Sequence, residues 1–366
     1  MSLKKDKFNR TDKKYMKLAI NLASKRKGLT GPNPSVGCVI VKKNKIISYG
    51  ITNYNGRPHA ETIALNKSIN QNKGSTVYTS LEPCSHHGKT PPCTKSLIKS
   101  KIKKLIFAVE DNDLRSFRKS KKILNSKKII TNSGLLKKDA NFLYKNYKYN
   151  KKFNYPYIIG KLACSANFYI LRNKKHITNQ HSRNVSHLLR YENQAILTTY
   201  KTINSDNPKL TCRIEGLKKF TPIRIIIDKN LKINLNSFII SSSKTFKTYI
   251  FHNSKNKRKI NFLKNRGVKV IYNTIERDGF FNLKKIFKKI YKLGIQTLLI
   301  ESGKEFTKTL LLNNLCNEFY LFIGNKNIKN KEKIDVNDIK RKLNISFKNK
   351  KYVNTYLDKD ALIHYY

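Results

Sequence analysis

Apolar residues recur in two rhythms along this chain, and each rhythm predicts one kind of element. Between residues 12 and 25, Tyr15, Leu18, Ala19 and Leu22 share one face of a 3.6-residue repeat, predicting a helix capped by Thr11 or Asp12. Glycine and proline break that pattern through GLTGPNPSVG, and VGCVIV and KIISYG then read as short strands around Lys43-Asn44. Pro58 opens HAETIALNKSI, whose Ile63 and Leu65 fit a buried helix, since proline is tolerated in a first helical turn. STVYTSL reads as a strand ending at Pro83, TKSLIKS as a helix and KLIFAVE as a further strand. Strand–helix alternation of this kind predicts an α/β layered domain.

The rhythm changes at residues 141–156, where NFLYKNYKYNKKFNYP is polar, basic and closed by proline, and reads as a linker or helix tail. A second alternating series follows: YIIGKLAC, a helix around 182–191, AILTTY, IRIIID, TYIFH, VKVIY, TLLIES, the helical KEFTKTLLLN, and FYLFI. The expected domains are therefore 1–150 and 151–366, a length that suits two cores better than one. No internal repeat is evident, and the second series lacks a GxGxxG fingerprint.

Composition changes this picture little. The 77 Lys+Arg against 22 Asp+Glu give a formal net charge of +55. Such an excess ordinarily points to nucleic acid. Here lysine is spread along the whole chain with asparagine, arginine is scarce and tryptophan is absent, the pattern of an AT-rich coding bias acting on solvated faces. Nucleic-acid binding is expected to be nonspecific at most, while a phosphorylated substrate would be attracted. Six cysteines over 366 residues are too sparse for a disulfide scaffold. MSLKKDKFNR carries no apolar stretch, so no signal peptide is expected, and no apolar run reaches membrane-spanning length. A cytoplasmic protein is expected.

The chemistry concentrates in two stretches. His59-Ala60-Glu61 lies at a predicted helix start, and LEPCSHHGKTPPC, from Leu81 to Cys93, follows some twenty residues later. One histidine and two cysteines, His59, Cys84 and Cys93, make a three-ligand zinc site with a fourth position left for water. Zinc makes water nucleophilic near neutral pH, and Glu61, two residues past the ligand, is placed to carry protons. This is the H-x-E…P-C…C logic of zinc nucleobase deaminases. A structural zinc or a redox cysteine pair is the alternative. The eight residues between the cysteines, where such enzymes usually have two, must loop out, and His86 and His87 are read as facing substrate rather than metal.

GPNPSVGCVIV, PHAE and LEPCSHHGKTPPC closely resemble the deaminase half of the bifunctional riboflavin-biosynthesis deaminase–reductases. PYIIGKLACS, AILTTYKTINSDNPKLTCR, PIRIIID and LLIESGKEFTKTLL follow that family's reductase half in order. The resemblance implies an α/β protein with an N-terminal cytidine-deaminase-like three-layer domain and a C-terminal dihydrofolate-reductase-like domain. It implies zinc-dependent deamination of 2,5-diamino-6-(5-phosphoribosylamino)pyrimidin-4(3H)-one, then NADPH-dependent reduction of the ribosyl group to ribityl. It implies a homo-oligomer, and carries over Asn33 to the pyrimidine, Arg190, Leu210, Arg213 and Glu301 to the substrate of the second step, and Lys161 to its acid–base chemistry. Ala163, His176, Thr202, Asp206 and Gly303 are carried over to NADPH, with Gly303 to Thr309 facing its phosphates.

The second half departs from the family pattern. Where S-L-D-G-R-T is usual, Ser165 is followed by Ala166-Asn167-Phe168-Tyr169-Ile170, so acid becomes amide, glycine becomes Phe168 and arginine becomes Tyr169. His176 replaces a tryptophan, Asn207 a second aspartate and Lys304 a proline. Phenylalanine for glycine is sterically serious wherever positive φ is required. In the first half Thr52 replaces a histidine, and Asp111 opens DND where DPN is usual. Two other readings stay open: a deaminase whose reductase domain is only a scaffold, and an RNA-editing deaminase.

Overall fold

The computed structural model describes residues 8–171, 176–329 and 333–366. They form two compact units, Met1–Tyr155 and Pro156–Tyr366.

The first unit opens with helix α1 (Arg10–Ser24), whose cap is Asn9 rather than Thr11 or Asp12. Asn9 accepts from the Asp12 amide at 2.7 Å and Asp12 accepts from the Asn9 amide at 3.1 Å, so Asp12 completes a capping box. The face buried most deeply runs through Met16, Ala19, Ile20 and Ala23, one step round from the expected stripe, and Tyr15 and Leu18 pack at its margin. Strands β1 (Gly37–Lys42) and β2 (Lys45–Ile51) form a hairpin. Lys43 and Asn44 both have positive φ, the backbone that joins twisted strands in two residues.

Helix α2 (Ala60–Lys67), strand β3 (Thr76–Thr79), helix α3 (Cys93–Lys99), strand β4 (Lys104–Phe107), helix α4 (Lys119–Ser126) and strand β5 (Ile130–Ser133) continue the alternation. Among the described residues the sheet has the order β2-β1-β3-β4-β5. β1 is antiparallel to both neighbours, and β3, β4 and β5 are parallel. Gly37 and Gly50 permit close packing of helix on sheet. A Cβ on Gly37 would lie 2.0 Å from Ala19 O, and one on Gly50 2.2 Å from Ala60 O, so α1 and α2 seat directly on strand backbone.

The stretch read as a linker or helix tail is helical. α5 (Lys137–Leu143) and α6 (Lys145–Phe153) bury Ala140, Asn146, Tyr147 and Asn150 against the first unit, with Tyr144 between them in the core. The half-buried Lys145 and Lys148 between those positions hid the repeat.

The second unit contains β6 (Tyr157–Cys164), β7 (Tyr169–Leu171), α7 (Gln180–Tyr191), β8 (Ala195–Thr199), α8 (Tyr200–Asp206) and β9 (Ile223–Ile227). After these come α9 (Phe238–Ser241), β10 (Thr248–His252), α10 (Lys257–Asn265), β11 (Val268–Tyr272), α11 (Leu283–Lys292), β12 (Thr297–Glu301) and α12 (Lys304–Leu312). The unit ends with β13 (Glu318–Ile323), β14 (Lys333–Asp335), α13 (Asn337–Ser346), β15 (Lys350–Tyr352) and β16 (Ala361–Tyr365). The large sheet runs β11-β10-β9-β8-β12-β6-β13-β16-β15, parallel from β11 to β13 and antiparallel beyond. The carboxyl ends of its parallel strands lie along one edge, where open α/β sheets bind ligands. β7 and β14 form a separate antiparallel ribbon. No described helix is long and apolar enough to cross a membrane.

Candidate functional site

Two helix starts and one strand end build a three-donor cluster in the first unit. His59 is the N-cap of α2, Cys93 is the first residue of α3, and Cys84 follows β3. His59 Nδ1 lies 3.3 Å from Cys93 Sγ and 3.6 Å from Cys84 Sγ, and the three donor atoms all fall within 4.8 Å of one another. The Cys93 amide donates to Cys84 Sγ at 3.2 Å, and the Thr94 amide to Cys84 O at 3.2 Å, folding the eight-residue loop back on itself. Cys84 is drawn down to about 4, first by the hydrogen bond from the Cys93 thiol and, against burial, by His59. Cys93 is pushed up by that same bond and by burial, so the pair is poised to hold negative charge. One imidazole and two sulfurs at this spacing suit zinc, and no other described group of His, Cys, Asp or Glu has metal-site geometry.

Glu61, in the first turn of α2, is buried, and burial raises its carboxyl above the ordinary range although His59 opposes this. Both line a cavity of about 530 Å³ together with Cys84 and Asn33. Asn33 donates from Nδ2 to Gly56 O at 3.0 Å, and Thr30 donates to Asn33 O at 2.7 Å, which holds the PNP turn in the cavity wall. Thr52, on the same wall, accepts from the Val36 amide at 2.9 Å. His86 also lines the cavity, with Nδ1 2.8 Å from Ser116 Oγ, whereas His87 is exposed; neither joins the metal cluster.

Several lining residues were not anticipated: Arg57, Asp113, Arg115, Tyr147 and Lys151, with Asp111 noted only as a departure from the family pattern. Asp113 accepts from Arg115 Nε and Nη2 at 2.9 and 2.7 Å and from Lys151 Nζ at 2.9 Å, and Arg115 chiefly holds its carboxyl far below the usual range. The Tyr147 hydroxyl donates to Asp111 Oδ1 at 2.7 Å, and burial lifts the Asp111 carboxyl to about 6. Arg57 donates to Thr90 of the looped segment. The available signals were the DND segment and the four-residue spacing of Tyr147 and Lys151, one helical face of the supposed linker.

In the second unit, register sets Lys161 on β6 beside Glu301 on β12. Arg190, from α7, grips Glu301 with both arms, Nε to Oε1 at 2.8 Å and Nη2 to Oε2 at 2.9 Å, while Lys161 Nζ lies 3.7 Å from Oε2. Burial would raise Glu301, but Arg190 and Lys161 overcome it and hold the carboxyl at about 2. Burial lowers Lys161. Arg190 also donates to Thr211 O at 3.2 Å, so its donors are committed within the protein, whereas Arg213 is exposed. Leu210, buried with φ +52, lies between these arginines in sequence.

The remaining carried-over positions lie near the same sheet edge. Ala163 is one residue from the end of β6, Thr202 and Asp206 are on α8 directly after β8, and Gly303 caps α12 directly after β12. A Cβ on Gly303 would meet nothing within 4 Å, so the residue that caps α12 borders open space. His176 is exposed.

The altered segment keeps an ordered turn. Phe168 has φ +57, the conformation in which glycine is favoured, and its N–H donates to Ser165 O at 3.0 Å. Asn167 brackets Ile328, donating to its carbonyl at 3.1 Å and accepting from its amide at 3.0 Å. The Phe168 ring packs on the neighbouring core and under Lys340 Nζ, 3.8 Å from its centroid. Asn207 likewise has a local partner, accepting from the Phe238 amide at 2.8 Å.

Comparison with known proteins covers both units. Residues 9–109 match the cytidine and deoxycytidylate deaminase zinc-binding region, and residues 156–334 match the RibD C-terminal domain. A riboflavin biosynthesis protein RibD of Aquifex aeolicus is 37% identical over 324 residues, 86% of this chain and 87% of that protein. The structure of an Acinetobacter baumannii RibD matches with a TM-score of 0.83 at 26% identity, covering 97% of this chain and 98% of the other. A Thermotoga maritima diaminohydroxyphosphoribosylaminopyrimidine deaminase/5-amino-6-(5-phosphoribosylamino)uracil reductase matches with a TM-score of 0.79 at 25% identity over the same shares.

Proposed function

The chain belongs to the RibD family of bifunctional riboflavin-biosynthesis enzymes, and on that premise we propose which of its residues carry each step. It is an enzyme with a deaminase step and a reductase step, a cytidine-deaminase-like fold in its first half and a dihydrofolate-reductase-like fold in its second. We assign deamination of 2,5-diamino-6-(5-phosphoribosylamino)pyrimidin-4(3H)-one to the first unit and reduction of the ribosyl chain to the second.

The convergence of His59, Cys84 and Cys93 beside buried Glu61 in one cavity is the observation that carries this reading. These three residues would hold zinc, whose Lewis acidity would make water nucleophilic at neutral pH. Glu61 takes the proton of the attacking water on a carboxylate oxygen and returns it to the departing amine, and burial raises that carboxyl above its ordinary range. Asn33, in the cavity wall, orients the pyrimidine.

In the second unit NADPH supplies the hydride. Lys161, with its ammonium destabilised by burial, exchanges the proton required when the ribosyl ring opens. Glu301, kept ionised by Arg190, accepts hydrogen bonds from sugar hydroxyls. Arg213, rather than the committed Arg190, is the guanidinium available to the substrate phosphate. Leu210 would support that wall, and Ala163, His176, Thr202, Asp206 and Gly303 would hold the cofactor. We place the protein in the cytoplasm, where its six unpaired cysteines remain reduced.

Purified protein incubated with the diaminopyrimidine and NADPH tests both steps at once. Ammonia release followed by loss of absorbance at 340 nm is the expected result. Ammonia release without NADPH oxidation, including when the deaminated intermediate is supplied directly, rejects the reductase assignment.

A further inference from the structure

We propose that Glu82 is a positioning residue for the deaminase step. Its carboxylate fixes the segment from Asp111 to Ser120 that supplies one wall of the pocket. The inference rests on reading that pocket as the deaminase site.

Glu82 is only 3% exposed and stands two residues before Cys84. Its carboxylate accepts four hydrogen bonds that converge from both ends of one segment. Oε2 accepts the amides of Asp111 and Arg118, each at 3.1 Å. Oε1 accepts the amide of Ser120 at 3.2 Å and its hydroxyl at 2.7 Å. Arg118 has φ +57 and immediately precedes α4, so the carboxylate both secures an unfavourable backbone and faces the positive end of that helix. A charged acceptor strengthens such bonds relative to a neutral one.

The clamped segment is what meets the ligand space. Ser116 Oγ accepts the Ser85 amide at 3.3 Å and contacts His86 Nδ1 at 2.8 Å, thereby bracing the loop between the two cysteines. Asp113 and Arg115 project from the same segment into the cavity wall. Glu82 therefore ties the metal-bearing peptide to the substrate-bearing wall; it borders the cavity itself, but all four of its hydrogen bonds are spent on that segment, which makes its role one of positioning.

In Glu82→Gln an amide group replaces one oxygen and faces N–H donors with which it cannot bond. With the diaminopyrimidine as substrate, KM is expected to rise about tenfold while kcat changes by less than about threefold and zinc content stays at wild-type level. Amide exchange across residues 113–120 is expected to quicken. Ser120→Ala removes a single bond at a distance from the metal ligands and is expected to raise KM about twofold to threefold by the same logic. Should Glu82→Gln fold poorly or lose zinc, Ser120→Ala alone decides. Wild-type KM in the folded variants overturns the proposal, as does a fall in kcat at unchanged KM. A wild-type protein that does not deaminate removes the pocket reading and this proposal together, whereas wild-type turnover with unaltered variants removes this proposal alone.

Discussion

Replacing Arg190 by methionine strips a buried carboxylate of its bidentate partner. A carboxyl ordinarily near 4.5 and held at about 2 gains about 3 kcal/mol in its charged form, at about 1.4 kcal/mol per pKa unit. The folded value is depressed, so this contribution is complete above pH 4.5 and fades as pH falls toward 2. Wild-type stability from this pair is therefore flat between pH 5 and 8. In Arg190→Met the burial of Glu301 remains, and Lys161 at 3.7 Å offsets only part of it. The Glu301 carboxyl then rises, and the variant grows less stable as pH climbs through the new value. The expected cost is about 3 kcal/mol near pH 5, where Glu301 takes a proton and only the lost attraction counts, and it grows toward pH 7 as the unpaired charge is buried as well. Adding Glu301→Gln should recover much of the loss, because the buried charge is gone. The chain has no tryptophan and two units, so a global unfolding curve mixes events. Amide exchange of β6 and β12 peptides against denaturant isolates the relevant unit. An unchanged exchange free energy in Arg190→Met, or a pH profile parallel to wild type, refutes the reasoning.

Cys93→Ser is expected to abolish zinc binding and deamination together, read by metal analysis and ammonia release, while leaving NADPH oxidation with the deaminated intermediate intact. Glu61→Gln should keep zinc yet slow deamination by about two to four orders of magnitude. Asp111→Asn keeps the bonds from Tyr147 and the Asp113 amide but removes a carboxyl lifted to about 6. That raised value erodes wild-type stability as pH rises from about 4 to 6, so the variant should gain about 1–3 kcal/mol at pH 7 and nothing near pH 4, seen in the unfolding of the first unit. Asn167→Asp sets a carboxylate oxygen against Ile328 O and should cost about 1–2 kcal/mol, seen as faster exchange in the turn, although it restores the acid usual in the family.

Elements announced by apolar repetition are legible in the amino-acid sequence. The strands read from VGCVIV, AILTTY and TLLIES lie where the apolar runs predict, because β1, β8 and β12 bury continuous Val, Ile and Leu. α6 is not legible, since what it buries is Asn146, Tyr147 and Asn150, polar or amphipathic groups whose partners come from elsewhere in the fold, as in the bonds from Tyr147 to Asp111 at 2.7 Å and from Asn150 to Tyr155 O at 2.7 Å. The cluster of His59, Cys84 and Cys93 can be read because metal chemistry constrains residue type and spacing together. Asp111, Asp113, Arg115 and Lys151 cannot, being ordinary charged residues whose meeting depends on a loop and a helix far apart in sequence. The SANFYI segment is legible as a departure but not as a solution. Its positive φ at Phe168 and the Asn167 bracket show how a bulky residue and an amide are accommodated where glycine and an acid are usual.

The helical stretch ahead of Tyr155 also limits where the polypeptide can be divided. A protease cut or gene fission at the apparently featureless lysine-rich run near residue 145 would separate Tyr147 and Lys151 from the cavity they help enclose. A free-standing first catalytic half must therefore retain the chain through Tyr155. Ending it earlier should leave the three metal ligands in place but breach the chamber meant to receive the pyrimidine.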